Sequence, residues 1–172
     1  GLGRDALGNE EDLNDLWKYD PVSGNWTWMK GSSTGGQHGT YGTRETEAAA
    51  NTPGGRYASV SWTDGSGNLW LLGGYGWDSD ISTGYLNDLW KFSPATNNWT
   101  WMKGTDTVGQ IGTYGVRGTE AVPNTPGGRS NAVSWVDASG ALWLFGGVGR
   151  ADDGPESNLN DLWKFTPSTN NW

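Results

Sequence analysis

Short apolar runs separated by turn residues dominate the pattern along this chain. Over residues 57–64, Val60 and Trp62 alternate with serines, which is the period of a strand with one buried face. An Asp-Gly-Ser-Gly run follows and predicts a tight turn. Residues 69–74 are then apolar at almost every position, which indicates a strand buried on both faces. We call these predicted strands A and B.

Two more strands are predicted downstream. Strand C covers residues 86–92, and strand D covers residues 98–103, where two Trp residues share a face. Pro94 begins the turn between them. A connector rich in Gly and Thr then occupies residues 104–128. No segment requires a helix, so the predicted fold class is all-β.

The same pattern returns every 73 residues. The motif NDLWK begins at Asn14, Asn87 and Asn160, and residues 1–73 are identical to residues 74–146 at 44 positions. A fixed period of this size is typical of solenoids and propellers. Four antiparallel strands joined by short turns form the blade of a β-propeller, which packs against the blades on either side. The sequence therefore predicts a partial array of about 2.4 four-stranded antiparallel meanders.

The repeat resembles the kelch family. A Gly-Gly pair ends strand B, and an aromatic residue and a Trp separated by six residues follow it, as in Phe92 and Trp99. Phe165 and Trp172 form a second such set, and Tyr19 and Trp26 a third. The resemblance implies kelch-type β-propeller blades like the central domain of galactose oxidase. A kelch repeat is roughly 50 residues, so this repeat is long and its excess lies in the connector. It resembles the long kelch arrays of bacterial surface proteins, which implies a bacterial variant of the repeat.

Three units follow from this alignment, which we call blade 1, blade 2 and blade 3. Blade 1 is residues 1–31, strands C and D; blade 2 is residues 32–104, a connector plus a complete blade; blade 3 is residues 105–172, a connector plus a blade truncated at strand D. Propellers close with about 4–8 blades. We therefore expect this chain to belong to a longer polypeptide or to a homo-oligomer.

Composition excludes several classes of partner and chemistry. The net charge of −8 and the scattered 11 basic residues argue against nucleic acid. No run approaches the roughly 20 apolar residues of a membrane helix, so no membrane insertion is expected. The absence of Cys excludes disulfides, thiolate catalysis and Cys-based zinc sites. Asn25 and Asn98 begin sequons, and the sequence leaves their glycosylation open.

No convergent catalytic set is visible, so we predict that the chain is not an enzyme. Kelch-type copper-radical oxidases use a Cys-crosslinked Tyr and two His ligands, whereas this chain has a single His38. An Asp before the Leu-Trp of strand C and an Arg after the Gly-Gly of the connector recur once per repeat. These are Asp15, Asp88 and Asp161, with Arg56 and Arg129. We interpret them as a structural ion pair in preference to an acid or metal site.

No cofactor is predicted, with calcium as the one candidate. Asp64-x-Ser66-x-Asn68 and Asp78-x-Asp80-x-Ser82 place oxygen-bearing side chains at alternate positions. Neither has the Gly and distal Glu of a full calcium loop, and Asn68 aligns with Ala141. Asp78 and Asp80 are therefore the better pair.

Most Trp residues recur on strands, which favours packing between blades over sugar binding. We expect Trp70, Trp90 and Trp99 and their counterparts to be buried. Trp77 is different, because it lies in the B–C loop and aligns with Arg4 and Arg150.

Binding residues are predicted at one end of the blades, where the B–C loops and the D–A connectors meet. The B–C loops differ most between repeats, and variable loops on a rigid scaffold are where binding residues usually sit. The candidates are Trp77, Asp78, Asp80, Tyr85, Arg150, Asp152 and Asp153, with Tyr41, Arg44, Tyr114 and Arg117 of the connectors.

The predicted function is a non-catalytic binding module for a protein or glycan, within a larger extracellular or cell-surface microbial protein. The alternative is a structural repeat that assembles with copies of itself into a fibre or surface layer, which the near-identical connectors favour. A propeller domain of a carbohydrate-active enzyme is a distant third.

Overall fold

The computed structural model describes residues 1–151 and 154–172 as antiparallel strands joined by turns and loops. The strands are β1 (Leu2–Arg4), β2 (Glu10–Asp12), β3 (Leu16–Asp20), β4 (Asn25–Lys30), β5 (Arg56–Tyr57), β6 (Val60–Thr63), β7 (Leu69–Trp77), β8 (Thr83–Ser93), β9 (Asn98–Lys103), β10 (Arg129–Ser130), β11 (Val133–Val136), β12 (Leu142–Gly149) and β13 (Ser157–Phe165). These residues contain no helix, which confirms the all-β fold class. Accordingly, none of them forms a helix of the length and apolarity needed to cross a membrane.

Blade 2 contains a complete four-stranded meander. Strand A is divided into β5 and β6, both of which pair with β7, and β7, β8 and β9 follow in order as strands B, C and D. Val60 pairs with Leu72, and Leu72 pairs with Leu89. Strands B and C are longer than predicted, because their pairing continues to Trp77 and Thr83. This is a propeller-type blade.

The Gly-Gly pair of strand B forms a bulge that separates two parts of the ladder. Gly73 and Gly74 have φ of 61° and 99°, and the register shifts between Leu72 and Gly74. A Cβ atom on Gly73 would lie 2.7 Å from the carbonyl oxygen of Arg129 in blade 3. Glycine is therefore needed both for the backbone conformation and for the close approach of the next blade.

Blades 1 and 3 show parts of the same meander. In blade 1, β1 pairs with β2 and β3 pairs with β4, so strand C is split. β1 aligns with the end of strand B and was not among the strands predicted for this unit. In blade 3, β10 and β11 pair with β12, and β12 pairs with β13. Strand D is represented there by a single bridge between Thr166 and Asn171.

The core lies between neighbouring blades. Trp70 packs against Phe165 in a tilted arrangement with ring centres 5.4 Å apart, and the Trp62 indole N–H donates to the carbonyl oxygen of Trp143 at 3.1 Å. Trp90 is fully buried, which together with the burial of Trp70 and Trp99 confirms the predicted core of blade 2.

The prediction of buried Trp residues is wrong for blade 1. Trp17 and Trp26 are 49% and 64% exposed. Their counterparts in blade 2 are buried by the connector and by a neighbouring blade, which the described part of blade 1 does not have on that side. Position in the repeat therefore does not by itself determine burial.

The connector before blade 2 folds back along the outer edge of strand D. Ala48 forms a bridge with Trp99, and the Glu45 N–H donates to the carbonyl oxygen of Trp101 at 2.8 Å. The Asn51 side-chain amide donates to the carbonyl oxygen of Trp99 at 3.0 Å. The extra length of the repeat thus covers a strand edge that would otherwise expose unpaired backbone groups.

Candidate functional site

A buried ion pair lies at the centre of blade 2. The Arg56 guanidinium donates to both carboxylate oxygens of Asp88, at 2.6 and 2.8 Å, and both side chains are almost fully buried. Arg56 also donates to the carbonyl oxygens of Gly54 and Gly73. The bulge at the Gly-Gly pair thus supplies one acceptor for the arginine. The structural interpretation of the recurring Arg and Asp is confirmed.

Two further donors saturate the carboxylate of Asp88. The Tyr41 hydroxyl and the Trp90 indole N–H both donate to its Oδ2 atom at 2.7 Å. Burial, together with the negative charge of Asp88, raises the pKa of Tyr41. Burial disfavours the charge of Arg56, but the adjacent carboxylate raises its pKa. Both carboxylate oxygens of Asp88 are therefore engaged by side-chain donors within the blade.

Blade 3 repeats this cluster with more solvent access. Arg129 donates to Asp161 at 2.7 and 2.8 Å, and Trp163 and Tyr114 complete the set at 2.6 and 2.8 Å. Burial and the hydrogen bond to Asp161 raise the pKa of Tyr114 to about 12. In blade 1 only the bond from Trp17 to Asp15 is present, at 2.6 Å.

Asp78 anchors the B–C loop of blade 2 to the following connector. Its Oδ1 accepts the N–H groups of Asp80 and Ser82 at 2.8 and 2.9 Å, and its Oδ2 accepts the N–H of Val108 at 3.1 Å. Asp5 makes the equivalent bonds in blade 1. Both oxygens of Asp78 are therefore used by the backbone, which leaves it poorly placed for calcium.

The other calcium candidate is occupied in the same way. Asp64 accepts the N–H groups of Ser66 and Asn68 on one oxygen and the Trp70 indole N–H on the other. Residues 1–151 and 154–172 contain no group of three or more His, Asp or Glu side chains placed to hold a metal ion.

The remaining B–C candidates differ in exposure and in their contacts. Trp77 is half-buried beside His38, with ring centres 6.0 Å apart, and Asp80 is exposed. Arg150 is half-buried and its Nη1 donates to the carbonyl oxygen of Gly109 at 3.4 Å. Asp152 and Asp153 lie outside the described residues.

The four connector candidates separate into two environments. Tyr41 is buried in the cluster of blade 2, and Arg44 lies over the ring of Trp101, with its Cζ atom 4.4 Å from the ring centre. Tyr114 and Arg117 are their counterparts in blade 3, and both are exposed. Internal contacts account for the first pair, and Tyr114 likewise donates to Asp161 and packs against Trp163, with ring centres 5.0 Å apart.

A tyrosine ladder crosses blade 2 at the end that carries the B–C loops, and the sequence reasoning missed two of its members. Tyr57 pairs with Tyr75, and Tyr75 pairs with Tyr85, on strands A, B and C. Successive ring centres are 5.7 and 5.3 Å apart. Burial, and then the charge of Glu156 in blade 3, raise the pKa of Tyr85. The same positions of blade 3 are Ser130, Val148 and Asn158.

The sequence does contain an indication of the ladder, but it can be recognised only when the strand register is known. The three tyrosines occupy positions that differ between repeats although they lie within strands. Because they are far apart along the chain, their adjacency depends on pairing across three strands.

Comparisons with known proteins find partial similarities. No family model matches it. A segment of 47 residues, 27% of this chain, is 36% identical to 13% of the length of N-acetylneuraminate epimerase from Escherichia coli K12, and the Shigella sonnei protein of that name matches equally. A solved structure titled "Structure of YjhT" is similar over 83% of this chain and 32% of its own, with a TM-score of 0.48 and 21% identity. The chain thus spans a small part of each of these proteins.

Proposed function

We propose that this chain is a non-catalytic module of a kelch-type β-propeller, belonging to a larger extracellular or cell-surface protein, that binds a protein or glycan at the B–C end of its blades. The scaffold supports this proposal, because blades 2 and 3 each carry an internal cluster of Arg, Asp, Tyr and Trp and the loops vary around it. The tyrosine ladder of blade 2 is the observation that carries it.

Tyrosines suit such a surface because each offers an apolar ring and a polar hydroxyl. Tyr57 is 36% exposed, while Tyr75 and Tyr85 are half-buried and held in contact. Rigid aromatic side chains provide contact area at a small entropic cost. The ladder has no counterpart in blade 3, so the packing of the repeat does not require it.

A non-catalytic role is supported by the state of the recurring carboxylates. Asp88 and Asp161 are each bound by an arginine, a tyrosine and a tryptophan, and the oxygens of Asp78 bind backbone N–H groups. A general acid or base must reach a proton on the substrate. We therefore do not assign to this chain the epimerase activity after which the bacterial relatives are named. The net charge of −8 likewise supports a ligand other than nucleic acid.

The test compares aromatic substitutions at two places. The double variant Tyr57→Ala with Tyr75→Ala is screened on glycan and protein arrays. Its affinity for the ligands that bind the native chain is expected to fall by at least about tenfold. Trp77→Ala with Arg150→Ala tests the adjoining loops in the same way.

Tyr19→Ala is the matched control, because Tyr19 is an exposed aromatic residue of blade 1 away from the ladder. It should keep full affinity. Retention of every ligand by both double variants, with unchanged melting temperatures, would contradict the proposed binding surface.

A further inference from the structure

The backbone around the tyrosine ladder is fixed by contacts between blade 2 and blade 3. The carbonyl oxygen of Tyr85 accepts the N–H of Gly109, in the connector that leads to blade 3, at 2.9 Å. On strand A, the Asn131 N–H of blade 3 donates to the carbonyl oxygen of Ala58, next to Tyr57, at 2.9 Å. The ladder thus lies on backbone that is held from both blades, which reduces the ordering cost of binding a ligand there.

The hydroxyl groups separate the ladder from the other paired tyrosines of the repeat. Tyr41 and Tyr114 donate to the aspartates of their blades. Within residues 1–151 and 154–172, by contrast, the hydroxyls of Tyr57, Tyr75 and Tyr85 have no hydrogen-bond partner in the protein. These three groups are therefore free to donate to a ligand.

The rings of the ladder are not parallel. Tyr57 and Tyr75 are tilted by 40°, and Tyr75 and Tyr85 meet edge-on at 90°. A sugar ring stacks on a flat and open aromatic face, and an edge-to-face contact occupies part of such a face. Neighbouring rings at an angle leave clefts between them, which suit a small, compact apolar group better than a flat stacked ring.

Proline-rich peptides fit clefts of this kind. They bind in aromatic-lined grooves as a preformed polyproline II helix, whose backbone carbonyl groups have no internal hydrogen bonds. One turn of this helix is about 9 Å long. Adjacent ring centres of the ladder are 5.7 and 5.3 Å apart, so the three rings accommodate about one turn.

A negative charge lies beside the third ring of the ladder. Glu156 of blade 3 is exposed, and its charge acts on Tyr85, whose pKa is raised first by burial and then by this carboxylate. The net charge of the chain, −8, has the same sign. A positively charged ligand group is therefore favoured at this end of the ladder.

We propose that the ligand of the ladder is a proline-rich peptide in the polyproline II conformation, with its prolines against Tyr57, Tyr75 and Tyr85 and a Lys or Arg beside Glu156. This inference rests on the proposed function, because it names the ligand class of the same surface. The equivalent positions of blade 3 carry no aromatic ring, so blade 2 supplies all three tyrosines.

The experiment measures binding of a labelled peptide, RPPAPPAPPR, to the full chain. Saturable binding is expected, and Tyr75→Ala should weaken it at least about tenfold. A peptide with Gly in place of every Pro keeps the charge but loses the preformed helix, and should also bind at least about tenfold more weakly. Tyr19→Ala, at an exposed aromatic residue of blade 1, is the matched control and should keep full affinity.

Glu156→Gln tests the charge without changing the ladder, because Glu156 is exposed and outside the strands. At low salt it should weaken binding about threefold, and the difference should disappear in about 1 M salt, where charges are screened. A peptide with Gln in place of both Arg residues should bind both forms equally. No effect of Glu156→Gln at low salt would overturn the assignment of the basic residue.

Two further outcomes would overturn the proline-rich ligand and differ in what they mean for the proposed function. If the proline peptide does not bind but a glycan from the array binds and depends on Tyr75, the ligand class is wrong and the binding surface stands. If the peptide binds the native chain and the Tyr75→Ala variant equally, and no array ligand depends on the ladder, both proposals fail.

Discussion

Blade 2 and blade 3 share most of their sequence, but equivalent residues are buried to very different extents. Trp62 and Leu89 are 4% and 0% exposed, whereas their counterparts Trp135 and Leu162 are 43% and 54% exposed. Blade 2 has a blade on each side, whereas the described chain covers one face of blade 3. Burial in this molecule is therefore set by the neighbouring unit, while the strands and the ion pair are set within each repeat.

The largest expected effect comes from the buried ion pair. Asp88→Ala should destabilise the chain by about 3–5 kcal/mol, because it leaves the Arg56 guanidinium buried without a counterion. Asp15→Ala is the matched control, since Asp15 has only its bond from Trp17, and should cost under about 1 kcal/mol. Urea unfolding measures both, and equal losses would show that the complete cluster is not what stabilises blade 2.

Truncating a core tryptophan should have an effect of similar size. Trp90→Ala is expected to cost about 3–5 kcal/mol, because the side chain is fully buried and donates to Asp88. Trp17→Ala changes the same repeat position at 49% exposure and should cost under about 1.5 kcal/mol. Thermal unfolding of the two variants separates burial from sequence position. A melting temperature for Trp17→Ala as low as that of Trp90→Ala would refute this prediction.

The Gly-Gly bulge should respond to a single methyl group. Gly73→Ala is expected to cost about 1–3 kcal/mol, because φ is positive and the new Cβ would approach two carbonyl oxygens at 2.7 and 2.8 Å. Gly65→Ala adds a methyl group with nothing within 4 Å and should change stability by under about 0.5 kcal/mol. Equal unfolding free energies of the two variants in calorimetry would argue against the close contact between Gly73 and blade 3.

The smallest effect is a dependence on alkaline pH. Burial and the bond to Asp161 raise the pKa of Tyr114 to about 12 in the folded chain, above its ordinary value of 10. The folded state therefore favours the neutral phenol, so this stability is present below pH 10 and is lost as pH rises through about 12. Tyr114→Phe should flatten the decline. An unchanged slope in this variant would show that Tyr114 does not contribute.

The strands, their order and the ion pair could be predicted from the sequence because they depend on local pattern and exact repetition. Val60 and Trp62 alternate with polar residues, and the Gly-Gly pair and the Arg recur at fixed spacing. The tyrosine ladder could not be predicted, because the adjacency of Tyr57 and Tyr85 requires the register of three strands. Whether the B–C residues bind a ligand stays a prediction.

The internal role of the connector was also hidden in the sequence. Tyr41 and Tyr114 occupy the same repeat position, and each donates its hydroxyl to the Asp of its own blade, Asp88 or Asp161. Sequence alone predicted both as surface binding residues. Their internal role depends on the connector folding back against strand C, which is a tertiary contact with no local signal.

Hydrogen exchange of the tryptophan indole N–H groups tests most directly whether the neighbouring units determine how far each repeat is buried. Trp90, Trp163 and Trp17 donate to the same repeat Asp in complete, partly open and minimal clusters. NMR should show the slowest exchange at Trp90, intermediate exchange at Trp163 and the fastest at Trp17, because protection follows burial and local opening. Equal protection of Trp17 and Trp90 would contradict the account, since it would mean that the neighbouring units do not determine how tightly each repeat is closed.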